Sequence, residues 1–173
     1  MVKKKKSPRV KPSRDELIKF SHDHLFYEIW MLFEVTELLR HSNQGTPACN
    51  ALLESFVIHS AILIEFFYDK GIYSSTARAS DYINDLMVWN QSIPPYERYF
   101  DKIRKRRNTE MAHLSYERLQ VSSRDKAWNY SVTSLQLRGI TNQFLGLADP
   151  KLLHSKIYNL KTQFSPNNNH KNT

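Results

Sequence analysis

The stretch RKRRNTEMAHLSYER, residues 104–118, combines cationic and proton-exchanging side chains at short spacing. Arg107 carries a planar, permanently charged guanidinium that suits phosphate or carboxylate. His113 exchanges protons near neutral pH, and the amide of Asn108 is able to fix a ring tautomer or bind a phosphate oxygen. Together they suit metal-free RNA cleavage. The histidine would move a proton to or from the attacking 2′-hydroxyl or the leaving oxygen, while the arginine stabilises charge on the phosphorane.

An apolar stripe at helical spacing predicts how this stretch is oriented. Its members are Tyr96, Phe100, Ile103, Met111 and Leu114. Arg107 occupies the remaining position of the series, so we expect it to point inward, where it needs a hydrogen-bonded partner or a hydrated pocket because unpaired burial of a charge is costly. Arg104, Lys105 and Arg106 are expected to face water and to bind RNA.

Helix geometry leaves the catalytic pairing open. On a straight helix, Arg107 and His113 lie about 120° apart around the axis and about 9 Å apart along it. They converge only if the helix ends or bends within NTEMAH, or if a second subunit completes the pocket. On a straight helix, Arg106 and His113 share one face and are the alternative pair. A purely structural interpretation gives Arg107 a core carboxylate and makes His113 a helix-end histidine stabilised by the dipole.

Glu65 and Tyr116 are candidates for supporting roles. Glu65 follows an apolar run and either pairs with Arg107 or faces a polar seam with Glu54 and Asp69. Tyr116 either stacks on a base or closes the core.

Histidine and cysteine spacing predicts no metal and no cofactor. The single cysteine, Cys49, excludes an internal disulfide and a multi-cysteine zinc site. His22 and His24 lie two positions apart and point to different sides of a helix. His59, inside an apolar helix, is interpreted as a core histidine.

The composition predicts one helical domain with an anionic partner. The chain has 173 residues, a net charge of +8, only four glycines, and seven prolines that mostly fall near apparent element boundaries. This charge favours RNA or DNA over an anionic membrane. No secretory signal and no run of about 18 apolar residues is present, so we expect a soluble, cytoplasmic protein without a membrane partner.

Periodicity and capping signals predict an all-α bundle of four or five helices. A disordered basic tail covers 1–12, a single domain covers 13–164, and a disordered polar tail covers 165–173. The first helix begins at Ser13, whose spacing to Glu16 is that of a capping box, and runs to about Arg40.

The remaining helices follow from the same signals. The second, most buried helix begins at Thr46–Pro47 and ends near Lys70. Later starts are expected at Ser80, near Pro95, at Ser122 or Ser123, and at Asp149–Pro150, where the final helix runs to about Phe164.

The segment RNTEMAH resembles the Arg-x(4–6)-His signature of the HEPN superfamily (higher eukaryotes and prokaryotes nucleotide-binding domains). Its form Arg-Asn-x-x-x-Ala-His is matched by Arg107, Asn108, Ala112 and His113. The preceding YFDKIRKR is similar to the basic amphipathic lead-in of that family. SFVIHSAILIEFFYD resembles its buried second helix, with Glu65 in the place of an acidic residue.

This resemblance implies a HEPN-like bundle and a metal-independent endoribonuclease of toxin–antitoxin, abortive-infection or CRISPR-associated systems. Arg107, Asn108 and His113 would be catalytic. A homodimer would bring the motifs of two chains together across a cleft, and an antitoxin or a companion nucleotidyltransferase would be a partner. The alternative is a non-catalytic module of the same fold that binds RNA or a protein.

Overall fold

The computed structural model describes residues 9–69, 75–111, 116, 119 and 129–163. Within these ranges the protein is all-α, as predicted, and the β pairing is a single antiparallel bridge between Ile83 and Ala148. The α-helices are α1 Arg14–Phe20, α2 Phe26–Arg40, α3 Pro47–Tyr68, α4 Leu86–Ser92, α5 Arg98–Arg106, α6 Tyr130–Leu147 and α7 Ser155–Gln163.

Two π-helical segments interrupt the regular helices. Ser21–Leu25 joins α1 to α2, and Arg107–Met111 continues α5. The predicted first helix is therefore one continuous rod to Arg40, with a wider turn inside it. In that turn the Ser21 hydroxyl accepts a hydrogen bond from the backbone N–H of His154 at 2.8 Å. The first π-helical segment thus holds the chain just before α7.

The capping signals at the first two helices are confirmed. Ser13 and Glu16 form the predicted capping box. Thr46 caps α3, where its hydroxyl accepts from the N–H of Cys49 at 3.2 Å, and Pro47 occupies the first turn. These local interactions need no tertiary contact, which is why spacing alone predicts them.

Helix α3 is the centre of the core, as its nearly continuous apolar sequence predicts. Phe56, Val57, Ala61, Leu63 and Ile64 are completely buried. Aromatic side chains from later elements close around its C-terminal half, including Phe144 of α6 against Phe66 at 5.3 Å. These contacts fix the position of α3, and with it the position of Glu65.

Helix α3 also has the length and composition of a membrane-crossing helix, and no other helix in the described ranges does. Half of its most apolar 18-residue window is buried inside the protein. The buried central helix of a globular domain has the same length and hydropathy, so these two properties alone do not identify a membrane span.

Later helix starts differ from the predictions. Residues 79–81 form a 3-10 turn rather than a helix start at Ser80, and Asp85 caps α4 by accepting from the N–H groups of Met87 and Val88. Asn129 caps α6, while Ser122 and Ser123 lie outside the described residues. Pro150–Leu152 is also a 3-10 turn, and α7 begins only at Ser155. Each of these regions contains more than one residue type that caps helices, so capping ability alone does not fix where a helix begins.

The prediction that residues 1–12 form a disordered tail is wrong for its last part. Arg9 makes two hydrogen bonds of 2.6 Å to the carboxylate of Asp81 and a third, of 3.0 Å, to the carbonyl oxygen of Thr76. Asp81 is almost fully buried. Its partner lies 72 residues away in sequence, which composition could not reveal. The predicted tail 165–173 lies outside the described residues.

The Arg9–Asp81 pair gives a test of this attachment. Arg9→Ala removes both bonds from a buried carboxylate and should lower the free energy of unfolding by about 2 kcal/mol, below the range for fully buried pairs because Arg9 keeps some contact with water. Urea denaturation measures the effect, with Lys11→Ala at an exposed neighbouring cation as the control. Equal midpoints for both variants would show that the attachment adds nothing to stability.

Candidate functional site

The candidate site lies where α5 crosses α3 in antiparallel order. Tyr68 contacts Phe100 with ring centroids 5.8 Å apart. One turn earlier on α3, Glu65 faces Arg107: its Oε1 accepts from Nη2 at 2.9 Å. The same oxygen accepts from Nε of Arg104 at 3.5 Å. Of the two positions that the sequence left open for Glu65, the structure has the contact with Arg107.

Arg107 is held on two sides. Besides Glu65, it donates from Nε to the side-chain oxygen of Asn108 at 3.0 Å. Its side chain is 23% exposed. Among the described residues, Nη1 has no hydrogen-bond partner, so two N–H donors of the guanidinium remain available for an anion. In this arrangement Asn108 orients the arginine.

The helix changes its geometry at Arg107. Residues Arg107–Met111 form a π-helix, so the straight α-helix that separates Arg107 from His113 by about 120° does not continue through the motif. Such wide turns are frequent at functional sites. His113 itself lies outside the described residues. Its approach to Arg107 therefore stays a prediction.

The expectation that Arg106 faces water is wrong, while its role in RNA binding stays a prediction. Arg106 is 7% exposed, while Lys105 is exposed and Arg104 is partly exposed. Phe100 and Ile103 define the inward side of α5, and Arg106 is three positions after Ile103, so both Arg106 and Arg107 fall within the inward arc. The alternative pair of Arg106 and His113 requires a straight helix, and the helix is not straight at Arg107–Met111. Burial of Arg106 also limits its access to a substrate.

Tyr116 does not close the core, because 91% of its surface is exposed. Of the two predicted roles of Tyr116, base stacking is the one that an exposed side chain permits. His59 does lie in the core: it is buried, and its Nδ1 is 2.6 Å from Oε2 of Glu28. Within the described ranges no three side chains of the metal-ligating types form a cluster suited to an ion.

Sequence reasoning missed the role of Tyr96 by assigning it only to the apolar stripe. Its ring is perpendicular to those of Tyr68 and Phe100, with centroids 5.2 and 5.6 Å away, yet 37% of the residue is exposed. A hydrogen bond with Tyr96 is the main cause that raises the pKa of the Arg104 guanidinium. The spacing of Tyr96, Phe100 and Arg104 at i, i+4 and i+8 could have predicted this contact, because it places the three side chains on one side of a helix.

Comparison with known proteins gives no match: no protein-family model, curated protein or solved structure is detectably similar to this chain. The resemblance to the HEPN superfamily therefore stays a prediction from the sequence motif.

The aromatic contact that positions α5 has a measurable pH dependence. Burial raises the pKa of Tyr68 from 10.0 to about 12. As the pH rises, the unfolded chain loses this phenolic proton near pH 10, before the folded protein does. The contribution of protonated Tyr68 to the unfolding free energy is therefore complete below pH 10 and is lost as the pH rises toward 12. Tyr68→Phe should reduce the fall in unfolding free energy across this interval. Denaturation at several alkaline pH values measures it, and an unchanged fall would contradict the assignment to Tyr68.

Proposed function

We propose that this chain is a HEPN-like, metal-independent endoribonuclease. The observation that carries the proposal is the fixed guanidinium of Arg107, which Glu65 and Asn108 hold at the start of the wide turn leading toward His113. A partly buried arginine whose Nη1 has no partner among the described residues is suited to bind a phosphate oxygen. The matching motif supplies the histidine that such a reaction needs.

The reaction follows from the chemistry of these groups. His113 or its counterpart in a second chain removes the proton of the ribose 2′-hydroxyl, and the 2′-oxygen forms a bond to phosphorus. The bond from phosphorus to the 5′-oxygen breaks, and a histidine returns a proton to that oxygen. Arg107 stabilises the negative charge that accumulates on the phosphorane. The products are a 2′,3′-cyclic phosphate and a 5′-hydroxyl.

The cellular setting belongs to the same proposal. We place the protein in the cytoplasm as a homodimer whose two motifs face a common cleft. Its role is that of a toxin or antiviral defence effector, with an antitoxin or a companion nucleotidyltransferase as partner. RNA would reach the site along the exposed cations of α5, among them Arg98 and Lys105.

A second candidate function is a non-catalytic module that binds RNA or a protein. The exposed basic face of α5 favours it, because this surface attracts an anion whether or not His113 approaches Arg107. The two candidates differ in their products. A binding module gives saturable, salt-sensitive association with RNA and no cleavage.

Cleavage assays separate these candidates. We expect purified protein to cleave transfer RNA in the presence of EDTA, and both Arg107→Ala and His113→Ala to lower the rate by at least about 100-fold, because each removes a group that acts on the transition state. The control is Arg40→Ala, an exposed arginine on α2, away from the proposed path of the RNA. Undiminished cleavage by Arg107→Ala and His113→Ala would falsify the proposed catalytic pair.

Glu65 should act as a positioning residue for Arg107. Glu65→Gln keeps the size of the side chain but weakens the ion pair, so kcat should fall by about 10- to 100-fold with KM little changed, as expected when a reacting group is misplaced. Glu54→Gln, at an exposed position on the same helix, is the matched control. In the Arg107→Ala background the Glu65 substitution should have no further effect. Additive losses would instead indicate that Glu65 acts separately from Arg107.

A further inference from the structure

The ring of Tyr96 is exposed but fixed in direction. Its hydroxyl donates to Oδ1 of Asp101 at 2.7 Å, which limits rotation at the outer end. Tyr68 and Phe100 contact it at interplanar angles of 81° and 70°, which supports the inner end. With 37% of the residue exposed, the chain presents a preorganised aromatic surface to solvent.

Tyr96 is connected to the arginine site by direct contacts. Tyr96 is the main cause that raises the pKa of the Arg104 guanidinium, and Arg104 also contacts Oε1 of Glu65. The same carboxylate oxygen binds Arg107. Two guanidinium groups therefore share the carboxylate of Glu65, so positive charge exceeds negative at that contact, while the carboxylate of Asp101 lies at the outer end of the Tyr96 ring. The two guanidinium groups are suited to bind a phosphate, and the neighbouring Tyr96 ring is suited to stack on a planar apolar group.

A nucleotide has both of these parts. We propose that Tyr96 stacks on a base adjacent to the phosphate bound by Arg104 and Arg107, so that the substrate is single-stranded RNA. Stacking on an aromatic side chain needs a base that has left its own stack, and it tolerates any base because each has a π-face. Base-paired RNA does not present such a base. This inference rests on the proposed function and specifies its substrate class.

Binding is measured without cleavage by using fluorescently labelled RNA with 2′-O-methyl groups, which lack the attacking hydroxyl. The probes are a single-stranded oligonucleotide and the duplex of the same sequence. Tyr96→Leu should weaken single-strand binding about tenfold, within the range for loss of one base stack, while Tyr96→Phe should stay within about twofold of the parent protein. Duplex binding should not change in either variant.

Two further variants make the test independent of a folding defect. Tyr96→Trp offers a larger stacking surface and should bind the single strand at least as tightly as the parent protein. Tyr27→Leu removes a tyrosine of α2 that is 45% exposed and lies on another element, and should leave binding unchanged. The proposal is overturned if Tyr96→Leu keeps full affinity, or if it loses affinity equally for the duplex.

The same variants distinguish this inference from the proposed function. If Arg107→Ala abolishes cleavage and Tyr96→Leu changes neither binding nor cleavage, base stacking at Tyr96 is wrong and the ribonuclease remains. If Tyr96→Leu weakens single-strand binding while no cleavage occurs in any variant, the stacking surface belongs to a binding module. If the parent protein binds neither probe, both proposals fail.

Discussion

One carboxylate oxygen, Oε1 of Glu65, organises the charged side of α5. It accepts from Arg104 and Arg107, and α3 brings it there from the centre of the core. Two cations and one anion at a partly buried contact would be unstable if any member were displaced, because the remaining charges would lose their partner without regaining full hydration. The packing of Tyr68 on Phe100 one turn away keeps the two helices at the separation that this arrangement requires.

The basic run of α5 thus consists of side chains in different environments. Lys105 is exposed, Arg104 and Arg107 are partly exposed and share an anion, and Arg106 is buried. Successive residues of a helix are turned by about 100°, so four adjacent cations necessarily face four directions. A run of charge in a sequence therefore does not define one binding surface. Here Arg104 and Arg107 form the edge at which two guanidinium groups lie side by side.

The sequence predicts those features that depend on local interactions. Ser13, Thr46 and the buried middle of α3 are of this kind, since caps and apolar periodicity act within a few residues. Contacts between distant segments were not predictable in the same way. The sequence around Arg9 does not show that this side chain pairs with the buried carboxylate of Asp81, 72 residues away. The apolar stripe does not fix the direction of Arg106, because a shift of one position turns a helical side chain by about 100°. Asp85 and Asn129 cap α4 and α6, but the chain holds many other Asp, Asn, Ser and Thr residues of similar capping ability.

The first π-helical segment has a consequence for how this chain tolerates change in length. Its wide turn places one more residue between α1 and α2 than a regular helix would hold. Removing one residue from Ser21–Leu25 would therefore leave a regular α-helix in which α1 and α2 keep their relative direction, whereas adding one would turn everything before it by about 100° relative to α2. With a residue added, Leu17 would leave the interior, and the hydroxyl that receives the N–H of His154 would point elsewhere. This irregular turn is the phase adjustment that lets both halves of one long rod face the same interior.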